Sequence, residues 1–235
     1  MRIMNKKIQM FLLPFAGGSS FSFMRLEHFL LKEIDINVVE YAGRGSRRSE
    51  PCFKNYNDFL KDVIAYISAR RKHNIPYVVF GYSLGSVIAF DICCSRRLDT
   101  IPSYGFLCAE GSILIDNPAR GYARLSDTKF REKILALGGI DKRILDNKAI
   151  MQEYLGLIRN DFTVLGQFLY YGQLSPCDST IIYSPNDPTC IHMKDWTKVI
   201  KGCVDYVEIG DDHFFINKMY KEVAEIVNYK IRKIV

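Results

Sequence analysis

Phe80-Gly81-Tyr82-Ser83-Leu84-Gly85-Ser86 decides how the chain is read. Ahead of it, Tyr77-Val78-Val79-Phe80 is an apolar run of the length of a fully buried strand; beyond it, Val87-Ile88-Ala89-Phe90-Asp91-Ile92 carries helical spacing. Gly81-x-Ser83-x-Gly85 therefore falls where a strand turns sharply into a helix, the setting in which this pattern holds a serine hydroxyl outward as a nucleophile. The glycines have a mechanical reason to be there, because the turn brings backbone segments too close for a side chain at either position. The helix that follows points its N-terminus at the same spot and favours a developing negative charge there. Without its flanking elements the pattern describes an ordinary turn equally well.

Outward from this turn, strand-like and helix-like segments alternate, the signature of a parallel sheet covered on both faces. The strands are expected at Ile8 to Leu13, Ile36 to Tyr41, Tyr77 to Phe80, Ser103 to Cys108, Thr180 to Tyr183 and Val204 to Ile209. Amphipathic stretches lie at Phe21 to Lys32, Tyr56 to Arg71, Leu84 to Arg96, Met193 to Lys201 and Phe215 to Ile234. From about Asp116 to Leu174 the rhythm breaks, and Thr128 to Leu137, Asn147 to Ile158 and Asp161 to Tyr171 read as successive helices. An all-helical insertion between two strands of a parallel sheet is most simply a cap over the strand ends, where such folds keep their sites. The expectation is one α/β domain over residues 1–235 with a helical lid at 116–174.

The 235 residues are 48% hydrophobic, enough for one substantial core. The net charge of +6 is spread over the chain rather than blocked, and no nucleic-acid motif accompanies it. Seven cysteines without metal-type spacing read as reduced thiols of a cytoplasmic protein, with no metal or cofactor expected. Lys6-Lys7 followed by Ile8 to Leu13 has the outline of a short signal peptide, but Pro14 ends the run and a first buried strand suits it better. No run approaches the roughly 20 apolar residues of a membrane span. Gly43-Arg44-Gly45 lacks the third glycine of a dinucleotide fingerprint, and no phosphate loop occurs.

A serine needs a base, and the base an orienting acid. Of the four histidines, His28 and His73 precede Ser83, and His192 follows Asp187 by only five residues; His213, after the last strand in Gly210-Asp211-Asp212-His213-Phe214-Phe215, is the candidate base. Asp187, in the turn Ser184-Pro185-Asn186-Asp187-Pro188, is the candidate acid, although Asp-Pro is also common in plain turns. Glu110 and Asp116, after the preceding strand, are its rivals; Asp211 and Asp212 sit too close to His213, and Asp161 falls in the insertion. For an oxyanion the donors would be the backbone N–H of Leu84 and that of Ala16, in the Gly-rich loop Pro14-Phe15-Ala16-Gly17-Gly18-Ser19.

Taken together, these segments resemble the type II thioesterases, free-standing editing hydrolases of nonribosomal peptide and polyketide synthesis with an α/β-hydrolase fold. The resemblance runs over nearly the whole chain. Leu13 to Ser19 is similar to the family's Pro-x-Ala-Gly-Gly loop, and Tyr41-Ala42-Gly43-Arg44-Gly45 with Glu50-Pro51 to its Pro-Gly-Arg-Gly…Glu-Pro segment. Gly81 to Gly85 matches the elbow, Leu137-Gly138-Gly139 and Leu157 to Phe162 resemble lid motifs, and Asn186-Asp187-Pro188 and His213-Phe214-Phe215 match the acid and histidine segments. The chain departs from the pattern at Ala42 for a proline, Tyr82 for a histidine, Ala109-Glu110-Gly111 for a basic Gly-Arg-Arg stretch, and Ser184-Pro185 for a glycine-rich start. The resemblance implies hydrolysis of misloaded acyl groups from the phosphopantetheine arm of acyl or peptidyl carrier proteins; separately, a monomer without nucleic-acid or membrane partners is expected. A general carboxylesterase or acyltransferase would use the same triad.

Overall fold

The computed structural model describes residues 6–95, 98–115 and 117–235. Six strands, β1 (Ile8–Leu13), β2 (Ile34–Val38), β3 (Tyr77–Tyr82), β4 (Tyr104–Cys108), β5 (Ser179–Tyr183) and β6 (Val204–Glu208), form one sheet in the order β2-β1-β3-β4-β5-β6. Every neighbouring pair is parallel. Parallel neighbours need crossovers, and the helices supply several of them: α1 (Met24–Glu27), α2 (Tyr56–Arg70), α3 (Leu84–Cys94), α4 (Asp127–Leu137), α5 (Lys142–Leu145) and α6 (Lys148–Leu165), with α7 (Tyr220–Ile234) following the last strand.

β1, β3 and β4 are buried along their whole length, which is why their sequences read as apolar runs rather than alternations. The pleat still sorts their side chains. β1 sends Phe11 and Leu13 to one face and Met10 and Leu12 to the other, and β3 divides Val79 from Val78 and Phe80 in the same way. The first face packs on α2 and α3 through Val63, Ile67, Val87 and Phe90. The second packs on α1 and on the apolar stripe Val223, Val227 and Ile231 of α7.

At the junction of β3 and α3 the backbones touch without side chains between them. A Cβ on Gly81 would lie 2.2 Å from Gly85 O, and one on Gly85 would lie 2.0 Å from Leu13 O at the end of β1. Ser83 takes φ 54°, ψ −115° as the N-cap of α3, and its side chain makes no capping bond. Its N–H donates to Cys108 O at 2.8 Å, and the buried Ser86 hydroxyl accepts from Cys108 N–H at 2.8 Å, tying the turn to β4.

The sequence-based element limits differ from the structure where burial and hydrogen bonding part company. β2 begins at Ile34 and ends at Val38 rather than running from Ile36 to Tyr41; Val39 N–H makes a last bond to Leu12 O of β1 at 2.8 Å, and Tyr41 is buried beyond the pairing, reaching back through its hydroxyl to Pro14 O at 3.0 Å. Phe21 to Lys32 is a 3-10 turn, Ser20–Phe23, followed by the four residues of α1. The helix expected from Leu84 to Arg96 ends at Cys94, and Arg96 lies outside the described residues. Asn147 to Ile158 and Asp161 to Tyr171 merge into one helix, α6, which ends at Leu165 rather than Tyr171; it runs on because the polar pair between them finds partners on neighbouring segments: Arg159 donates to Ala123 O and Leu125 O, and Asn160 to Phe53 O. Met193 to Lys201 shortens to a 3-10 turn, Met193–Lys198. The C-terminal helix starts at Tyr220, after a 3-10 turn Phe215–Asn217.

Two glycines test this packing in opposite directions. Gly85→Ala, forced against the Leu13 carbonyl, is expected to lower unfolding stability in urea by about 1–3 kcal/mol or more. Gly156, inside α6 with nothing within 4 Å of an added Cβ, should gain about 0.5–1 kcal/mol as alanine.

Candidate active site

The carboxyl ends of β1, β3 and β6 converge on one small cavity, bordered by Ala16, Ser83 and His213 below and by Ile158, Phe162 and Leu137 of the helical segment above. Its volume is about 20 Å³, room for about a single water molecule. An open groove of about 570 Å³ adjoins it, sharing Phe15, Gly139, Ile140 and Tyr154 with it.

His213 is 3% exposed, in the loop after β6. Tyr82, one residue before the serine, donates its hydroxyl hydrogen bond to His213 O at 2.6 Å and fixes the loop from below. The imidazole Nδ1 lies 2.7 Å from Asp187 Oδ2, and Asp187 stands in the turn after β5. Thr189 donates to Asp187 Oδ1 twice, through its N–H at 2.9 Å and its hydroxyl at 2.7 Å, and the Cys190 thiol donates to Oδ2 at 3.3 Å. Burial opposes charge on Asp187, yet His213 beside it and the Thr189 donors outweigh that and hold its carboxyl below the usual range. A carboxylate so held keeps the imidazole proton on Nδ1 and leaves Nε2 as the ring's proton acceptor.

Across the cavity, Phe15 to Gly18 is a tight turn closed by Gly18 N–H to Phe15 O at 2.8 Å, with Gly17 at φ 79°. No acceptor is found for the Ala16 or Leu84 N–H among the described residues. Both groups border the serine, Leu84 as the next residue and Ala16 across the cavity. Their neighbours, by contrast, are heavily bonded. Gly17 N–H donates to Asp161 Oδ2 at 2.7 Å; Arg44 donates to both Asp161 oxygens at 2.6 and 2.7 Å and to Gly18 O at 3.2 Å; Ser20 donates to Glu40 through N–H and hydroxyl. Gly43 and Gly45 flank Arg44 at φ 84° and 50°, which swings its side chain inward. That is the structural role of a Gly-Arg-Gly stretch that matched no nucleotide motif.

Glu110 is also buried, but it points elsewhere. Its Oε1 accepts from Asn117 Nδ2 at 3.1 Å and lies 3.7 Å from Arg120. Burial raises its carboxyl to about 7, against the pull of Arg120 and Asn117. Asn117 also donates to Thr189 O at 3.0 Å, so this pair backs the loop that carries Asp187. The other rival, Asp116, lies outside the described residues. Asp212 caps its own loop through Phe214 N–H at 2.9 Å and faces Lys218. His73 sits near Asp99 at the surface, and His192 takes φ 52° ahead of its 3-10 turn. Among the described residues, no three His, Cys, Asp or Glu side chains are grouped to hold a metal ion, and no helix is long and apolar enough to cross a membrane.

Thr189 and Asn117 carry no motif that residue types alone would single out, and the motif segments around Tyr82, Arg44 and Asp161 do not show what those side chains bond to. Only the elements around them give them work.

A model of the thioesterase domain matches residues 8–231. Among curated proteins the chain is similar to the gramicidin S biosynthesis protein GrsT of Aneurinibacillus migulanus, 26% identical over 96% of this chain and 90% of that one. Among solved structures, ClbQ from the colibactin NRPS/PKS pathway superposes with a TM-score of 0.84 at 24% identity, covering 97% of this chain and 98% of that one. RedJ, a thioesterase of the prodiginine pathway in Streptomyces coelicolor, gives 0.84 at 23% identity over 94% and 85%. The fold is that of the α/β-hydrolases.

Glu110 generates a pH signature. Its folded pKa of about 7 stands above the 4.5 of an unperturbed carboxyl, so the folded state holds the proton longer. Its contribution to stability is full below pH 4.5 and is lost as pH rises to about 7. Glu110→Gln removes that loss. Relative to wild type, the variant should gain up to about 3 kcal/mol between pH 5 and pH 8 in urea unfolding; parallel curves would show that Glu110 does not carry it.

Proposed function

The chain belongs to the thioesterase domain family, and from that premise we propose that it is an editing thioesterase that hydrolyses aberrant or stalled acyl groups from the phosphopantetheine arm of carrier proteins in nonribosomal peptide or polyketide biosynthesis. The observation that carries the reading is His213, paired at 2.7 Å with the buried Asp187 and bordering one cavity with a serine held at φ 54°. The relatives from gramicidin S, colibactin and prodiginine biosynthesis support the setting.

In the proposed mechanism Ser83 Oγ attacks the thioester carbonyl carbon while His213 Nε2 takes its proton. The negative oxygen is received by the N–H groups of Leu84 and Ala16, and the N-terminus of α3 adds its dipole. Collapse breaks the C–S bond; His213 gives the proton to the departing sulfur, leaving acyl-Ser83 and free pantetheine thiol. A water then attacks the ester, His213 removes its proton and returns it to Ser83 Oγ, and the carboxylic acid leaves. Asp187 stays ionised throughout and holds the ring. No metal or cofactor enters any step.

The partner would be an acyl or peptidyl carrier protein, met by a monomer in the cytoplasm, where the free cysteines stay reduced. An acyl chain is far larger than the closed cavity, so the segment carrying α4 to α6 would act as a lid that gives way to it.

The deciding assay follows acyl release from a phosphopantetheinylated carrier protein beside matched coenzyme A thioesters and p-nitrophenyl esters. Ser83→Ala should lose essentially all turnover with the fold retained, and Asp187→Asn should fall by about 10⁴-fold. Faster release from the carrier than from the free thioesters is the expected result. Equal or faster turnover of the oxygen esters would make the protein a general esterase.

A further inference from the structure

We propose that Asp161 is a positioning residue that makes oxyanion stabilisation depend on the seating of α6. The inference rests on the assignment of Ala16 N–H as an oxyanion donor.

The geometry is specific. Ala16 lies between two anchored residues: Phe15, which accepts the turn-closing bond from Gly18, and Gly17, whose N–H is held at 2.7 Å by Asp161 Oδ2. Asp161 is 1% exposed and sits near the C-terminal end of α6, a helix from the segment between β4 and β5 that is remote in sequence from the loop. Gly17 also packs directly on that helix, since a Cβ there would meet Ile158 Cγ1 at 2.6 Å and the Tyr154 ring at 3.2 Å. The same face of α6 lends Tyr154, Ile158 and Phe162 to the cavity wall.

Arg44 completes the device. Its two-pronged bond to Asp161 cancels the buried charge, and Nη1 also holds Gly18 O, so the loop is gripped at Gly17 through Asp161 and at Gly18 through Arg44. Swinging α6 away to admit an acyl chain withdraws Asp161 from Gly17 and leaves Arg44 buried without its counter-ion. The donor is then lost until the helix returns. Ser83 thus meets a competent oxyanion site only with α6 back over the bound acyl group, a form of induced fit.

The test is Asp161→Asn, which keeps an oxygen for Gly17 but removes the charge that aligns Arg44, with Arg44→Lys as a second variant that keeps the charge and loses the fork. On a soluble acyl N-acetylcysteamine thioester, kcat should fall about 10- to 100-fold, short of the roughly 10²–10³-fold of a deleted donor. KM should stay within about threefold. Affinity for a trifluoromethyl ketone, which forms a tetrahedral oxyanion adduct on serine, should weaken in step with kcat, while a non-hydrolysable thioether analogue binds as to wild type. A folded variant with wild-type kcat in both cases overturns the proposal. So does a loss in which thioether binding weakens as much as ketone binding, because that is disordering of the pocket alone. If wild type itself is not trapped by the ketone, or Ser83→Ala retains turnover, the serine mechanism and this proposal fall together.

Discussion

The structure turns on a place where three backbones meet with no side chain between them. Gly85 at the start of α3 lies against the Leu13 and Pro14 carbonyls that end β1, and Gly81 of β3 lies under Gly85. Because the contact is backbone on backbone, it has no rotamers and little slack, so the first turn of α3 and the loop leaving β1 hold a fixed relation. Ser83 between the glycines is pushed to a positive φ that a non-glycine residue seldom takes, at a cost of order 1–3 kcal/mol. What offsets that strain is visible around it: the ladder to β1 and β4 on either side, and the Ser83 N–H and Ser86 hydroxyl bonds to Cys108. The same contact sets the separation of the Leu84 and Ala16 N–H groups, which belong to the two segments it joins.

Asp187, Asp161 and Glu110 are buried carboxyl groups near this junction, and each carries a desolvation cost that only good partners repay. They fare differently for countable reasons. Asp187 receives His213, two donors from Thr189 and a thiol, and keeps its charge. Asp161 receives both prongs of Arg44 and a peptide N–H. Glu110 has one amide and a distant guanidinium, whose Nε and Nη2 find no hydrogen-bond partner among the described residues, and its carboxyl is pushed up to about 7. The acid that the sequence order favoured is also the one that the fold equips to stay ionised next to a histidine.

That order was legible because strand ends in a parallel sheet lie on one side, so residues just after β3, β5 and β6 are brought together whatever separates them in the chain. The buried central strands were legible as apolar runs, down to the limits of β1. Where the structure departs from the sequence pattern, apolar spacing marks neither strand pairing nor helix. Tyr41 is buried by packing on Phe59, with its hydroxyl bonded to Pro14 O, rather than by strand pairing, and Phe21 and Met24, on the apolar spacing of the expected first helix, stand 71% and 64% exposed. Arg159-Asn160 looked like a break because polar side chains that serve carbonyls of neighbouring segments cannot be told from side chains that face water. Asp161, which the sequence places only within the insertion, gives no sign of its partners for the same reason. Its meaning lies in Gly17 and Arg44, 144 and 117 residues away.

The helical segment does more than cover the cavity, because it touches the site on both sides of Ser83. On one side Asp161 holds Gly17. On the other, α4 ends in Gly138 and Gly139 at φ 82° and 78°, and the second of these lies so close to the Phe214 ring that a Cβ would come within 2.3 Å of it. Phe214 follows His213 and packs edge-on to its imidazole at 4.9 Å between centroids. Displacing the segment therefore disturbs the surroundings of the proposed base as well as those of the proposed oxyanion donor. A cavity with room for about one water, its polar groups braced by the helices that cover it, ties the geometry around Ser83 to the seating of that segment.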